Sequence, residues 1–269
     1  MKKLLIAAAV LLLIVSCMQK EKSKILVLYY SQGGTTKGVA EQIQSLLGAD
    51  IEAIEPVAPY DGDFHATIER SRKELMEGPL PAIRSIKADV RAYDVIFLGF
   101  PVWFGTYATP VAAALDSLDL SGKKVVPFCT FGSGGLDSSS RDLQNKFPDA
   151  EILPGYGVRA ARIDAAPREL DRFLKGSGFI EGEYEPFEEF PALHAVTEEE
   201  AGIFDAAVGD YPMLSAKAVS AASRIVPEGT EYVFSAEDHP REPEAAPRLI
   251  SVYILAETGK APVFTQVLR

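Results

Sequence analysis

The sequence is short of several things, and each shortage removes a class of function. It has only two cysteines, Cys17 and Cys129, in 269 residues. Cys17 falls in an N-terminal processing signal. The one thiol left can form neither an internal disulfide nor a multi-cysteine metal site. The three histidines, His65, His194 and His239, are far apart and lack the carboxylate spacing of a metal site, and no Ser-His-Asp arrangement is evident. Positive charge is scarce: 27 Lys and Arg stand against 38 Asp and Glu, a formal net charge of -11. Nucleic-acid binding needs a basic footprint and is excluded on that ground. GxxxxGK[ST] and GxGxxG are both absent, so neither a nucleoside-triphosphate P-loop nor a dinucleotide fingerprint is supported. The apolar run Leu4 to Val15 is too short to span a bilayer comfortably as a permanent helix.

What is present suits a packed core. The chain is 47% hydrophobic and 24% charged, enough for one large domain or two smaller ones. Its charge is unevenly spread. Cys17 to Phe179 carries 19 basic and 21 acidic residues, whereas Ile180 to Arg269 carries 6 and 17. The two parts read as different modules. At the N-terminus, Met1-Lys2-Lys3, the apolar run and then Ile14-Val15-Ser16-Cys17 resemble a bacterial lipobox. The resemblance implies a signal peptide over 1–16, lipidation of Cys17, a tether over 17–23 and a membrane-anchored protein outside the cytoplasm. Met18 in place of Asp after the cysteine points, by analogy with enteric lipoproteins, to the outer membrane facing the periplasm. An ordinary signal peptide with a chance cysteine is the alternative.

From 24 to 178, strands and helices alternate. KILVLYY (24–30), DVIFLGF (94–100) and VVPFCTF (125–131) are near-continuous apolar runs of the kind buried parallel strands show. Weaker strands fall at 49–57 and 150–158, and helices at about 36–48, 65–77, 109–118, 138–147 and 167–178. This pattern predicts an α/β fold, a parallel sheet covered on both faces, with a ligand at the carboxyl ends of the strands. Three loops lie there. SQGGTT (31–36) precedes a helix, where free N–H groups, the helix dipole, hydroxyls and glycines can make a phosphate nest or simply a capped turn. PVWFGTYATP (101–110) puts the only Trp, with Phe104 and Tyr107, at a strand end, either against a flat ring system or as a core cap. GSGG (132–135) bares backbone N–H groups that can bond the polar edge of a heterocycle. Cys129, on a buried strand, reads as an apolar filler.

In order and spacing, YSQGGTTKGVAEQI, DVIFLGFPVWFGTYATPV and LSGKKVVPFCTFGSGG resemble the flavodoxin-like family, over about 24–178, in its branch with a GFPVW loop. The resemblance implies a doubly wound five-stranded parallel sheet and non-covalent binding of flavin mononucleotide (FMN). By position it assigns Ser31, Gly33, Gly34, Thr35 and Thr36 to the phosphate. Pro101, Val102, Trp103, Phe104 and Gly105 would line the isoalloxazine. Gly132, Ser133, Gly134 and Gly135 would meet its pyrimidine edge. Gln32 and Gly33 stand where short flavodoxins usually have Thr, so one hydroxyl donor is lost. The implied activity is electron transfer to a redox partner protein or a small-molecule acceptor, with no residue needed as acid or base. Two rival readings stay open: a cofactor-free binding lipoprotein acting through its acidic second part, and a nicotinamide-dependent quinone reductase, for which no separate nicotinamide site is visible.

After a Glu- and Pro-rich linker (179–194), residues 195–269 read as one helix, with Thr197 and Glu200 in capping-box spacing, and four antiparallel strands. RIVPEGTEYVF (224–234) at the second hairpin resembles the cystatin-like fold and its QVVAGTNY motif. Gln is missing at the motif's start and Pro-Glu replaces its Ala. This resemblance implies a small α+β domain with a docking or packing role, a possible site for a protein partner.

Overall fold

The computed structural model describes residues 23–60, 63–209, 211–239 and 246–269. Cys17, the signal and most of the tether lie outside the described residues.

The first unit is a parallel sheet with helices on both faces. Strands β1 (Ile25–Tyr29), β2 (Asp50–Ala53), β3 (Val95–Trp103), β5 (Lys124–Phe131) and the short β6 (Glu151–Ile152) run in the order β2-β1-β3-β5-β6. Alternate residues of each strand feed opposite cores, which is why the apolar runs are nearly unbroken. Val27, Phe97, Val126 and Phe128 pack under α1 (Thr35–Leu47) and under a later helix, α5 (Ala166–Gly176). Leu26, Leu28, Ile96, Leu98 and Cys129 pack under α3 (Thr109–Leu115) and α4 (Leu136–Lys146). The remaining helix, α2 (Phe64–Glu77), buries Thr67 and Ser71 and starts at Asp63, whose side chain accepts from the Ala66 N–H at 2.9 Å.

Two details differ from the sequence reading. The strand expected over 150–158 is split into β6 and β7 (Tyr156–Arg159), both paired with β5. Pro154 between them has no N–H for the ladder, and Gly155 lies so close to Pro127 that an added Cβ would stand 2.4 Å from its carbonyl oxygen. β3 also extends past the expected run to Trp103 and turns back through Phe104-Gly105 into β4 (Thr106–Tyr107), a two-residue hairpin.

The second unit is an antiparallel sheet in the order β12-β11-β10-β9-β8, formed by β8 (His194–Ala195), β9 (Ala216–Val226), β10 (Gly229–Asp238), β11 (Arg248–Glu257) and β12 (Val263–Leu268). The helix α6 (Glu198–Val208) lays Phe204 and Val208 on this sheet against Phe234, Ile254 and Phe264. Its start is the expected capping box, with Thr197 and Glu200 bonding each other's backbone N–H. A fifth strand, β8, forms from what reads as the end of the linker and covers part of the β9 edge.

The two units meet along α5. Arg168 and Arg172 both reach Glu228, at 3.0 and 2.8 Å, and that carboxylate is 8% exposed. Beside it a cleft of about 680 Å³ is lined by Tyr156, Phe173, Phe187 and Leu255. Its arginines already pair with its glutamates, Arg162 with Glu169 at 2.7 Å among them.

Candidate functional site

Three loops assemble where β1, β3 and β5 end. The first leaves β1 at Tyr30, whose N–H still bonds the Gly99 carbonyl at 2.9 Å. The Ser31 hydroxyl accepts from the Gly34 N–H at 3.1 Å and so closes a tight turn. Gly34 then takes the left-handed conformation, φ 88°, and starts α1 with no side chain capping it. An added Cβ at Gly33 or Gly34 would meet nothing within 4 Å, so this turn faces open space. An uncapped helix start beside Ser and Thr hydroxyls has the donor set an anion needs.

Thr36 lies deeper, beneath this turn. It is 1% exposed, and its hydroxyl shares a 2.8 Å hydrogen bond with the Thr130 hydroxyl at the end of β5. This contact ties the first loop to the strand that leads into the third.

The second loop is strained. Phe104 has φ 51° and Gly105 φ 86°, as a two-residue hairpin of this hand requires at both central positions. Asn-Gly suits such a turn; Phe does not, and a bulky residue held left-handed costs about 1–3 kcal/mol. Phe104 is nevertheless 47% exposed. The turn therefore holds a large apolar ring out toward solvent at the mouth of the site. Arg72 lies over it with 5.9 Å to the ring centre.

Trp103 is half-buried and sits edge-on to two tyrosines, 5.8 Å from Tyr30 and 5.2 Å from Tyr60 between ring centres. It thus contributes to the edge of the core while keeping one part exposed. The tyrosines were invisible as site residues in the sequence, because no local pattern links positions 30, 60 and 103. Gln32 joins them: its side chain accepts from the Tyr30 hydroxyl at 2.7 Å and donates to the Tyr60 carbonyl at 2.5 Å. Behind them the Glu74 carboxylate accepts from the Tyr60 hydroxyl, from Thr109 at 2.7 Å and from Arg70 at 2.9 Å. The Arg70 guanidinium stacks 3.7 Å over the Tyr60 ring. Burial pushes both phenols well above the ordinary tyrosine value, helped at Tyr60 by the hydrogen bond to Glu74. Both stay neutral hydrogen-bonding groups at any physiological pH.

The third loop touches the second. A Cβ at Gly135 would strike Val102 at 2.5 Å, and the Ser138 hydroxyl bonds the Gly105 carbonyl. It also touches the antiparallel unit, which the sequence gives no reason to expect. The Val267 N–H donates to the Ser133 carbonyl at 2.6 Å, and Arg269 reaches the Ser133 hydroxyl at 3.3 Å. Arg159 donates to the Gly132 carbonyl at 2.8 Å. Among the described residues, no backbone N–H of 132–135 is paired, so those four donors stay free. Cys129 lies fully buried below, and burial pushes its thiol far up, as suits an inert core residue. Pro101 lies two residues before the end of β3, its carbonyl accepting from the Ala108 N–H at 3.2 Å. Among the described residues, no group of His, Cys, Asp or Glu could hold a metal ion.

Known proteins resemble the part of the chain that carries these loops. The family model for flavodoxin matches residues 24–166. Flavodoxin 1 of Shigella flexneri is 27% identical over 145 residues, 52% of this chain and 64% of that protein. The chain thus spans less than two thirds of the curated relative's length. Among solved structures, a candidate flavoprotein of Bacteroides uniformis ATCC 8492 is 27% identical, with a TM-score of 0.50 over 56% of this chain and 99% of that one. A candidate flavoprotein of Bacteroides eggerthii DSM 20697 is 34% identical, with a TM-score of 0.48 over 55% and 96%. A flavoprotein of Lactobacillus acidophilus NCFM, solved in complex with FMN, is 26% identical, with a TM-score of 0.46 over 53% and 97%.

Proposed function

Because the chain belongs to the flavodoxin family, whose model covers more than half of it, we propose that it binds FMN non-covalently and passes electrons to a redox partner protein or a small-molecule acceptor. The observation that carries this reading is the convergence of an uncapped helix start, an exposed strained aromatic and a set of free N–H groups at one end of the sheet. Each answers one part of the flavin: anion, flat ring and polar ring edge.

Ser31, Gly33, Gly34 and Thr35 would surround the phosphate through backbone donors and hydroxyls, with Thr36 supporting the helix start. Gly34 serves because its φ of 88° is one that L side chains adopt only under strain. Pro101, Val102, Trp103, Phe104 and Gly105 would form one wall of the ring site, and Gly132, Ser133, Gly134 and Gly135 would donate to the pyrimidine edge. The flavin supplies the redox chemistry. The protein's residues fix its position, keep water from the buried side of the ring and set the charge it meets. No side chain is required to move a proton.

The lipid anchor at Cys17 and an outer-membrane location facing the periplasm belong to the same proposal and rest on the lipobox resemblance. A docking role for the acidic antiparallel unit toward a protein partner rests on its charge and its cystatin-like sequence pattern.

Flavin absorbance of the purified full chain, followed by fluorescence titration with FMN and with riboflavin, tests the proposal. FMN should bind at least about a hundredfold more tightly, because two or three charge-assisted hydrogen bonds at roughly 1.5–3 kcal/mol each depend on the phosphate. Equal affinity for the two flavins refutes the phosphate nest. No affinity for either refutes the function and leaves the cofactor-free binding protein.

A further inference from the structure

The GSGG loop is held from two sides, and one of them is the antiparallel unit. β12 presents its Val267 N–H to the Ser133 carbonyl at 2.6 Å. Arg269 bridges the Ser133 hydroxyl and the Met213 carbonyl, each at 3.3 Å. Arg159, at the end of β7, ties the units together: Nε donates to the Gly132 carbonyl at 2.8 Å and Nη1 to the Phe264 carbonyl at 2.9 Å. Its guanidinium lies 3.4 Å over the Phe264 ring centre and 5.5 Å from that of Tyr211. The fit leaves no slack. A Cβ on Gly134 would stand 2.3 Å from the Val267 carbonyl oxygen, and one on Gly132 would stand 2.7 Å from the Tyr211 hydroxyl. These bonds consume the carbonyls of Gly132 and Ser133 and one hydroxyl, and none consumes an N–H.

We propose that the antiparallel unit completes the flavin site: β12, Tyr211 and Arg269, with Arg159 as the tie, hold residues 132–135 so that their N–H groups face the ring edge. Arg159, Tyr211 and Val267 are positioning residues, acting on the flavin through the loop. A glycine-rich loop left to itself samples many conformations, and ordering it at the moment of binding lowers affinity. Here the second unit imposes that order beforehand. The consequence is electronic as well as geometric. Donors fixed at the pyrimidine edge favour the more negative, reduced ring, so loosening the loop should lower the midpoint potential. The inference rests on the flavin reading above.

The test uses the full chain and two variants. Gly134→Ala is a clean wedge, because φ at Gly134 is not positive and the three atoms nearest its Cβ would all belong to the Val267 backbone. Arg159→Lys adds no bulk but cannot hold Gly132 and Phe264 together, and it decides the case should Gly134→Ala not fold. For each, the measurements are flavin affinity by fluorescence titration, midpoint potential, and amide hydrogen exchange of 132–135 without flavin. The expected result is a loss of about tenfold or more in affinity for FMN and riboflavin alike, at an unchanged ratio between them. A lower potential and faster exchange in the loop should accompany it. If the parent binds FMN and the folded variants keep its affinity and potential, the inference is overturned and the flavin function stands. If the parent binds no flavin, both fall together.

Discussion

The shared hydroxyls of Thr36 and Thr130 offer a way to separate binding from stability. Thr36→Val keeps the side-chain shape and removes one member of the pair. Thr130 is 5% exposed and its hydrogen bond to Thr36 spans 2.8 Å, so the substitution strands a hydroxyl where water does not reach. That should destabilise the fold by about 1–3 kcal/mol, whereas Thr36→Val with Thr130→Val, removing both partners together, should be nearly neutral. Binding follows a different rule. Two hydroxyls carry two hydrogens, and only one lies between them, so the pair retains a hydrogen for an anion at the helix start. If Thr36 supplies it, both the single and the double variant lose roughly 10- to 150-fold in FMN affinity, with riboflavin unchanged. Urea unfolding and flavin titration on the same samples give the two numbers. A double variant that regains stability and still discriminates FMN from riboflavin as the parent does would refute a phosphate role for this hydroxyl.

Three further outcomes are expected. Glu74→Ala removes the carboxylate shared by Tyr60, Thr109 and Arg70 but leaves the two hydroxyls bonded to each other at 2.8 Å and Arg70 on the Pro59 and Ala58 carbonyls, so it should cost about 1–3 kcal/mol in chemical unfolding; no measurable loss would show that the carboxylate is solvated. Burial opposes ionisation of Glu200, but the Thr197 N–H and hydroxyl and the His194 ring outweigh it and hold its pKa below the ordinary 4.5. The stability this group contributes is therefore complete above pH 4.5 and is lost as pH falls through the depressed value. Glu200→Gln should flatten that part of the pH–stability curve, and an unaltered curve would remove Glu200 from the account. Cys17→Ser should move the protein from the membrane to the soluble fraction, because anchoring needs more than one acyl chain, and unchanged fractionation would exclude the lipid anchor.

The sequence by itself determined the layers and the loops. Near-continuous apolar runs at 24–30, 94–100 and 125–131, alternating with helical segments, read as strands buried on both faces, and that burial demands helices above and below. Gly, Ser and Thr ahead of a helix and a Phe-Gly pair after a strand are local signals, readable because backbone sterics act over a few residues. The charge step near 180 likewise marked a second module. Tertiary structure decided what these pieces face. Thr36 turns inward to Thr130, 94 residues away, and Trp103 meets Tyr30 and Tyr60. Arg159 reaches the Phe264 carbonyl across 105 residues and brings β12 onto the loop at 132–135. Contacts at such separations leave no periodicity in a chain. They depend on how two finished units dock, and it was the docking that joined the GSGG loop to a domain whose sequence carries no flavin signal.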